Sequence, residues 1–130
     1  MVGIVIVSHS WKIAEGICDL AAQVAGTAAR IISAGGMQDG EIGTDAVKIS
    51  EAIRAADSGD GVVVLADLGS GIMSAETAFE LLEDEDIDVR LADAPIVEGA
   101  IAASVEAVCG GNIDEVMKAA EDASKMRKTN

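Results

Sequence analysis

Val2-Gly3-Ile4-Val5-Ile6-Val7 is a continuous apolar run dominated by β-branched residues. No polar residue alternates through it, so it reads as a strand covered on both faces, the pattern of a parallel sheet held between helices. The chain then turns through Ser8-His9-Ser10-Trp11-Lys12. From Ser10 onward, Ile13, Ile17, Leu20 and Val24 recur at helical spacing with Glu15 and Asp19 between them, and Gly26 stops the helix.

The same alternation continues outward. Ala29-Arg30-Ile31-Ile32-Ser33 is a second strand, followed by the glycine-rich loop Gly35-Gly36-Met37-Gln38-Asp39-Gly40. Thr44 is placed to cap a helix carrying Ala46, Ile49, Ile53 and Ala56, with Asp45 in its first turn. Val62-Val63-Val64-Leu65-Ala66 is the clearest strand of all, and it runs into Asp67-Leu68-Gly69-Ser70-Gly71. The next helix is expected to bury Ile72, Ala75, Phe79 and Leu82 on one face. Ile87-Asp88-Val89-Arg90-Leu91 alternates as a shorter strand, nearer an edge. Pro95 opens a helix carrying Val97, Ile101, Val105 and Val108, Gly110-Gly111 break it, and Asn112 or Asp114 begins a last helix with Val116 and Ala120. The polar tail from Lys125 to Asn130 is expected to fray.

Strand and helix therefore alternate four times, with one extra helix at the end. That order predicts an α/β fold, a single domain over residues 1–130 with an open, mostly parallel four-stranded sheet and helices on both faces. A strand order of 2-1-3-4 is the economical one, and it puts the switch point between the first and third strands. Ligands of such sheets lie beyond the carboxyl ends of the strands flanking that point. The site is to be sought after Val7 and after Ala66.

Composition removes several classes of partner. Nine Lys and Arg stand against 23 Asp and Glu, a formal net charge of −14, which argues against nucleic acid and against an anionic membrane surface. One Trp, one Phe and no Tyr leave no stacking platform for single strands. Half of the residues are hydrophobic, enough for a core without disulfides or a structural metal. No apolar run approaches the roughly 20 residues of a membrane span. Met1 leads straight into a strand without a basic leader, so no secretory signal is expected and the chain reads as cytoplasmic. Cys18 and Cys109 share no metal or redox spacing and are expected as small buried hydrophobes. With a single histidine and no clustered ligands, no metal site is expected. Glu83-Asp84-Glu85-Asp86 reads as a solvated turn. Twelve Asp against five Lys would also suit a protein working in concentrated salt, which screens such a surface from itself.

The two positions singled out by topology hold chemistry-bearing residues. His9, the only histidine, falls in the first strand-to-helix turn, and Asp67 ends the third strand. Neighbours in a 2-1-3-4 sheet, they can divide labour: Asp67 accepts a hydrogen bond from one imidazole nitrogen and fixes the tautomer, leaving the other nitrogen as nucleophile. Two helix N-termini converge there as an anion cradle. Ser10 and Ser70 can add hydroxyl donors, and Gly69 and Gly71 allow close backbone approach. A phosphoryl group is the natural guest. Taken alone, His9 is also what a polar surface residue looks like, and Asp67 what a helix cap looks like; their coincidence with the switch point favours chemistry. The chain has neither a G-x-x-x-x-G-K-[ST] loop nor a G-x-G-x-x-G turn after its first strand. Val7-Ser8-His9 also lacks the acidic pair of an aspartyl-phosphate receiver. Gly35-Gly36 and the loop behind them either close over the site or form an ordinary connection. Lys12 either steers an acidic partner or is simply solvated.

Val5-Ile6-Val7-Ser8-His9-Ser10, Asp67-Leu68-Gly69-Ser70 and Ala94-Pro95-Ile96-Val97-Glu98-Gly99-Ala100 resemble the phosphotransferase subunits of bacterial-type dihydroxyacetone kinase, which have the mannose-type enzyme IIA fold. The likeness runs along essentially the whole chain. It implies that His9 takes a phosphoryl group from the phosphocarrier HPr and hands it to ADP on a nucleotide-binding kinase subunit, whose ATP phosphorylates dihydroxyacetone. Asp67 would orient His9, and nucleotide and magnesium would sit on the partner, so that the chain has no cofactor of its own. The family is typically homodimeric. Leu68-Gly69-Ser70-Gly71-Ile72 lacks the proline of the G-G-S-P-like segment usual in sugar-transporter enzyme IIA domains, which favours the kinase branch. A transporter enzyme IIA, or a regulatory module phosphorylated on the same histidine, is the alternative reading. Some relatives carry fused HPr-like and enzyme-I-like domains; 130 residues leave no room for them, so a separate donor is expected.

Overall fold

The computed structural model describes residues 1–129. Four strands, β1 (Gly3–Ser8), β2 (Ile31–Gly35), β3 (Val62–Ala66) and β4 (Val89–Leu91), alternate with α1 (Trp11–Ala25), α2 (Ala46–Ala56), α3 (Gly69–Leu81) and α4 (Ile96–Val108). α5 (Ile113–Asp122) follows, and a 3₁₀ turn, Ala123–Lys125, ends the ordered elements. All strand pairs are parallel and the order is β2-β1-β3-β4, as the alternation predicts. β1 is central and wholly buried. Its register sets Val7 opposite Ala34 on one side and Ala66 on the other, so β1 and β3 end side by side.

The sheet separates two cores. Ile4, Ile6, Val63 and Leu65 point to the face covered by α1, α4 and α5, where Ala14, Ile17, Ala100, Ala103 and Val116 meet them. Val5, Val7, Val62 and Val64 point to the other face, against Ile49, Ile53, Ala75 and Ala78 of α2 and α3. No helix among the described residues is long and apolar enough to cross a membrane.

Several local expectations shift. β2 starts two residues late, at Ile31, because Ala29 is drawn into a turn by its hydrogen bond to the Gly26 carbonyl. β4 begins at Val89 rather than Ile87, since the ladder to β3 opens where Val62 N–H meets the Asp88 carbonyl. Asp45, not Thr44, caps α2: its carboxylate accepts from Val47 and Lys48 N–H, while the Thr44 hydroxyl pairs with that of Ser74 at 2.6 Å. Asn112 caps α5 in a reciprocal box with Glu115. Cys109 is exposed at the end of α4, where the helix stops before Gly110, and Cys18 is half-buried. Burial, with Asp19 and Glu15 beside it, pushes the Cys18 thiol up to about 11, so it stays protonated. Lys128 in the tail pairs with Glu98 of α4; Asn130 lies outside the described residues.

The apolar periodicity of two helices is misleading. α4 packs through its small residues, Gly99, Ala100, Ala103, Ser104 and Ala107, and leaves Val97 and Val105 exposed. α1 buries Ala14, Ile17 and Ala21 but exposes Ile13, Leu20 and Val24, and Ile72 of α3 is likewise outside. Close packing of this kind depends on particular glycines. A Cβ on Gly35 would stand 2.6 Å from the Ser10 carbonyl oxygen and 2.7 Å from the Ala14 Cβ. Gly35→Ala should therefore push β2 from the start of α1 and lower stability by about 1–3 kcal/mol, read as a lower urea midpoint.

Candidate active site

β1 ends at Ser8, and the extended backbone of Ser10 then opens α1, the Ser10 hydroxyl accepting from Ile13 N–H at 3.3 Å. The turn leaves His9 at the rim of the sheet, with its side chain 21% exposed. Asp67 occupies the matching place after β3 and is 14% exposed. The imidazole Nδ1 lies 2.9 Å from Asp67 Oδ1 across 58 residues of chain. The Ser70 hydroxyl, in the first turn of α3, lies 2.5 Å from Nε2. One ring nitrogen thus faces a carboxylate and the other a hydroxyl, which sets Nδ1–H as donor and leaves the Nε2 lone pair to accept from Ser70.

Asp67 is held from four directions. Oδ1 accepts from the imidazole and from Leu68 N–H at 2.8 Å; Oδ2 accepts from the Ser8 hydroxyl at 2.9 Å and from His9 N–H at 3.0 Å. Burial pushes this carboxyl up, but the bonds from His9, Ser8 and Leu68 together outweigh it and hold it below the usual carboxylate range. The group is an anion at neutral pH.

The residues expected at the site are not equally engaged. His9, Asp67 and Ser70 meet directly. Gly71 is packed on them: a Cβ there would lie 3.2 Å from Asp67 Oδ1. A Cβ on Gly69 would meet nothing within 4 Å, and Leu68 gives α3 no side-chain cap; the Gly71 and Ile72 N–H groups donate to the Leu68 carbonyl. The Ser10 oxygen caps α1, and Ser10 N–H donates to the Ser8 hydroxyl at 3.1 Å. One participant escaped the sequence reading. Ser8 carried no role there, since a small residue at a strand end does not reveal which way its hydroxyl points. The loop behind Gly35-Gly36, for which two readings stood open, reaches the site: Gly43 N–H donates to the His9 carbonyl at 2.9 Å. The Thr44–Ser74 bond ties the same loop to α3, so it walls the site rather than merely crossing between elements.

The family model EIIA-man, described as PTS system fructose IIA component, matches residues 3–117. The chain is 39% identical to phosphoryl donor subunit DhaM of PEP-dependent dihydroxyacetone kinase 2 from Listeria innocua, over 91% of this chain and 95% of that protein. The chain belongs to the EIIA-man family, in its DhaM branch. It is 48% identical to the DhaM subunit of Escherichia coli strain K12 over 90% of its own length, but that match spans only 26% of the longer relative. Among solved structures, a protein of unknown function, EF1359, superposes with a TM-score of 0.84 at 35% identity, covering 99% of this chain and 98% of that one. The switch-point cluster of His9, Asp67 and Ser70 lies within the span matched by the EIIA-man model.

Proposed function

We propose that this chain is a phosphoryl carrier that takes its group from phosphorylated HPr onto His9 and delivers it to ADP on the nucleotide-binding subunit of dihydroxyacetone kinase. The observation that carries this reading is the imidazole held between Asp67 and Ser70, with Nδ1 on the carboxylate and Nε2 on the hydroxyl. The Nε2 lone pair attacks the phosphorus of the donor's phosphohistidine as the donor's P–N bond breaks, and the electron pair leaves with the donor imidazole. Asp67 stabilises the positive charge that develops on the His9 ring. Ser70 turns its hydroxyl from Nε2 to a phosphoryl oxygen, with the Gly69 and Ser70 N–H groups and the Ser10 hydroxyl as further donors. In the second step a β-phosphate oxygen of ADP attacks, the Nε2–P bond breaks, and the imidazole recovers its lone pair. Nucleotide and magnesium come with the acceptor in this reading, which places the exchange in the cytoplasm.

The surroundings of His9 suit a protein partner better than a free nucleotide. Trp11, Met37, Leu68 and Met73 are exposed on the segments that bound the site, and Lys12 is drawn over the Trp11 ring at 5.7 Å. An apolar collar of this kind favours a docked surface over a loose polyanion. The test is to mix the full chain with phosphorylated HPr, follow the label to His9, and offer kinase subunit with ADP beside a sugar-specific IIB protein. Label moving only to ADP supports the proposal; label moving only to IIB overturns it.

We also propose that the chain pairs with a second copy through α1 and α4. These helices pack side by side. Gly99 backs onto Leu65 of β3, while Val97 and Val105 of α4 are exposed, as are Ile13, Leu20 and Val24 of α1. An uncharged strip on a chain of net charge −14 is where two like-charged copies can meet without repulsion. The double variant Leu20→Asp, Val105→Asp is expected to halve the mass measured by light scattering. An unchanged mass would place the interface elsewhere.

A further inference from the structure

Ser8 is fully buried, yet both halves of its hydroxyl are engaged beside His9 and Asp67. Its oxygen accepts Ser10 N–H at 3.1 Å, and its proton is directed at Asp67 Oδ2, 2.9 Å away. The direction is forced, because an ionised carboxylate has no proton to give. We infer that Ser8 is a positioning residue that fixes the plane and tempers the basicity of the Asp67 carboxylate, and through it the readiness of His9 to accept and release a phosphoryl group. The inference rests on the proposed carrier function.

The physical case is one of balance. Each Asp67 oxygen has one backbone donor, Leu68 N–H on Oδ1 and His9 N–H on Oδ2. The two side-chain donors oppose one another across the carboxylate, the imidazole on Oδ1 and Ser8 on Oδ2. Without Ser8 the carboxylate keeps its backbone donors but loses the side-chain donor that resists its rotation toward the ring. It also becomes a stronger base, gripping Nδ1–H harder. A ring held too tightly as imidazolium is a poor nucleophile at Nε2. Ser8 also couples this balance to the first turn of α1 through Ser10 N–H. Beyond the hydrogen bonds from His9, Ser8 and Leu68, no charged side chain bears on the carboxyl. Lys12 lies over Trp11, and Lys48 donates to the Gly35 carbonyl at 2.7 Å. Asp45 is occupied at the cap of α2.

The test begins with the unphosphorylated full chain, so that it does not depend on the donor. In Ser8→Ala, the Asp67 carboxyl followed by carbon-13 NMR should titrate about one pH unit higher than in the parent. Ser8→Thr, which keeps the hydroxyl, should titrate where the parent does, and Ser8→Cys, a weak donor, should fall between. A carboxyl that titrates alike in the Ala variant and the parent overturns the inference. With phosphorylated HPr, kcat for labelling of Ser8→Ala should fall about tenfold at unchanged KM, because Ser8 is buried and cannot touch the donor. A change in KM alone would make Ser8 a determinant of docking and also overturns it. If the parent itself is never labelled, the carrier function fails while the titration result stands on its own.

Discussion

His9→Ala is expected to incorporate no label from phosphorylated HPr while folding as the parent does. His9 is the only histidine, and its Nε2, which bonds the Ser70 hydroxyl, is the ring nitrogen turned away from Asp67 and so the one that can attack once that hydroxyl swings aside. The neighbouring hydroxyls cannot replace it: Ser8 is buried against Asp67, Ser10 caps α1, and Ser70 loses the imidazole that would serve as its base. Removing a rim side chain leaves no cavity in either core, so circular dichroism and the urea midpoint should stay close to the parent's. The measurement is transfer of radiolabelled phosphate, with the acid lability and base stability of a phosphoimidazole as the chemical signature in the parent. Label retained in the variant would overturn the mechanism.

Asp67→Asn should slow both acceptance and delivery by about 10²- to 10⁴-fold while leaving His9 able to be charged. The amide presents one oxygen and one NH₂ where the carboxylate presents two acceptors to four donors, so a donor must face a donor at one of them. If the NH₂ turns to Nδ1, the ring is driven to the opposite tautomer, with a proton on the nucleophilic Nε2. Rapid-quench labelling separates the two steps; parental rates in both would reduce Asp67 to a brace between the turns that follow β1 and β3. The same substitution has a signature in acid. Asp67 in the folded chain sits below its unfolded value, so its stabilising contribution is present above the ordinary carboxylate range and fades as pH falls through the folded value. The amide of the variant has no such proton to take up, so the variant's stability should fall less steeply below the ordinary carboxylate range than the parent's. Paired urea titrations at neutral and acid pH measure the difference.

The sheet was legible because Val2–Val7 and Val62–Ala66 are apolar without alternation, and only a strand covered on both sides tolerates that. Strand order then followed from alternation with helices, and the order brought His9 to Asp67. Helix faces were less legible. In α4 the eye goes to Val97, Ile101 and Val105, but the helix approaches the sheet closely enough that only Gly99, Ala100, Ala103 and Ala107 fit beneath it. Size excludes the larger residues from the inner face, and hydropathy does not encode that distance. Thr44 and Asp45 are both good caps, and a hydroxyl on Ser74, thirty residues away, decided between them. Ser8 was hidden for a related reason: the direction of a hydroxyl at a strand end depends on a partner 59 residues further on.

The imidazole and its carboxylate arrive on strands separated by a complete excursion through α1, β2 and α2. During synthesis His9 leaves the ribosome long before Asp67, and the two meet only once β3 has paired with β1. On the carrier function proposed above, a chain interrupted before β3, by stalling or proteolysis, would hold the histidine without the carboxylate that orients it and should be charged as slowly as Asp67→Asn or more so.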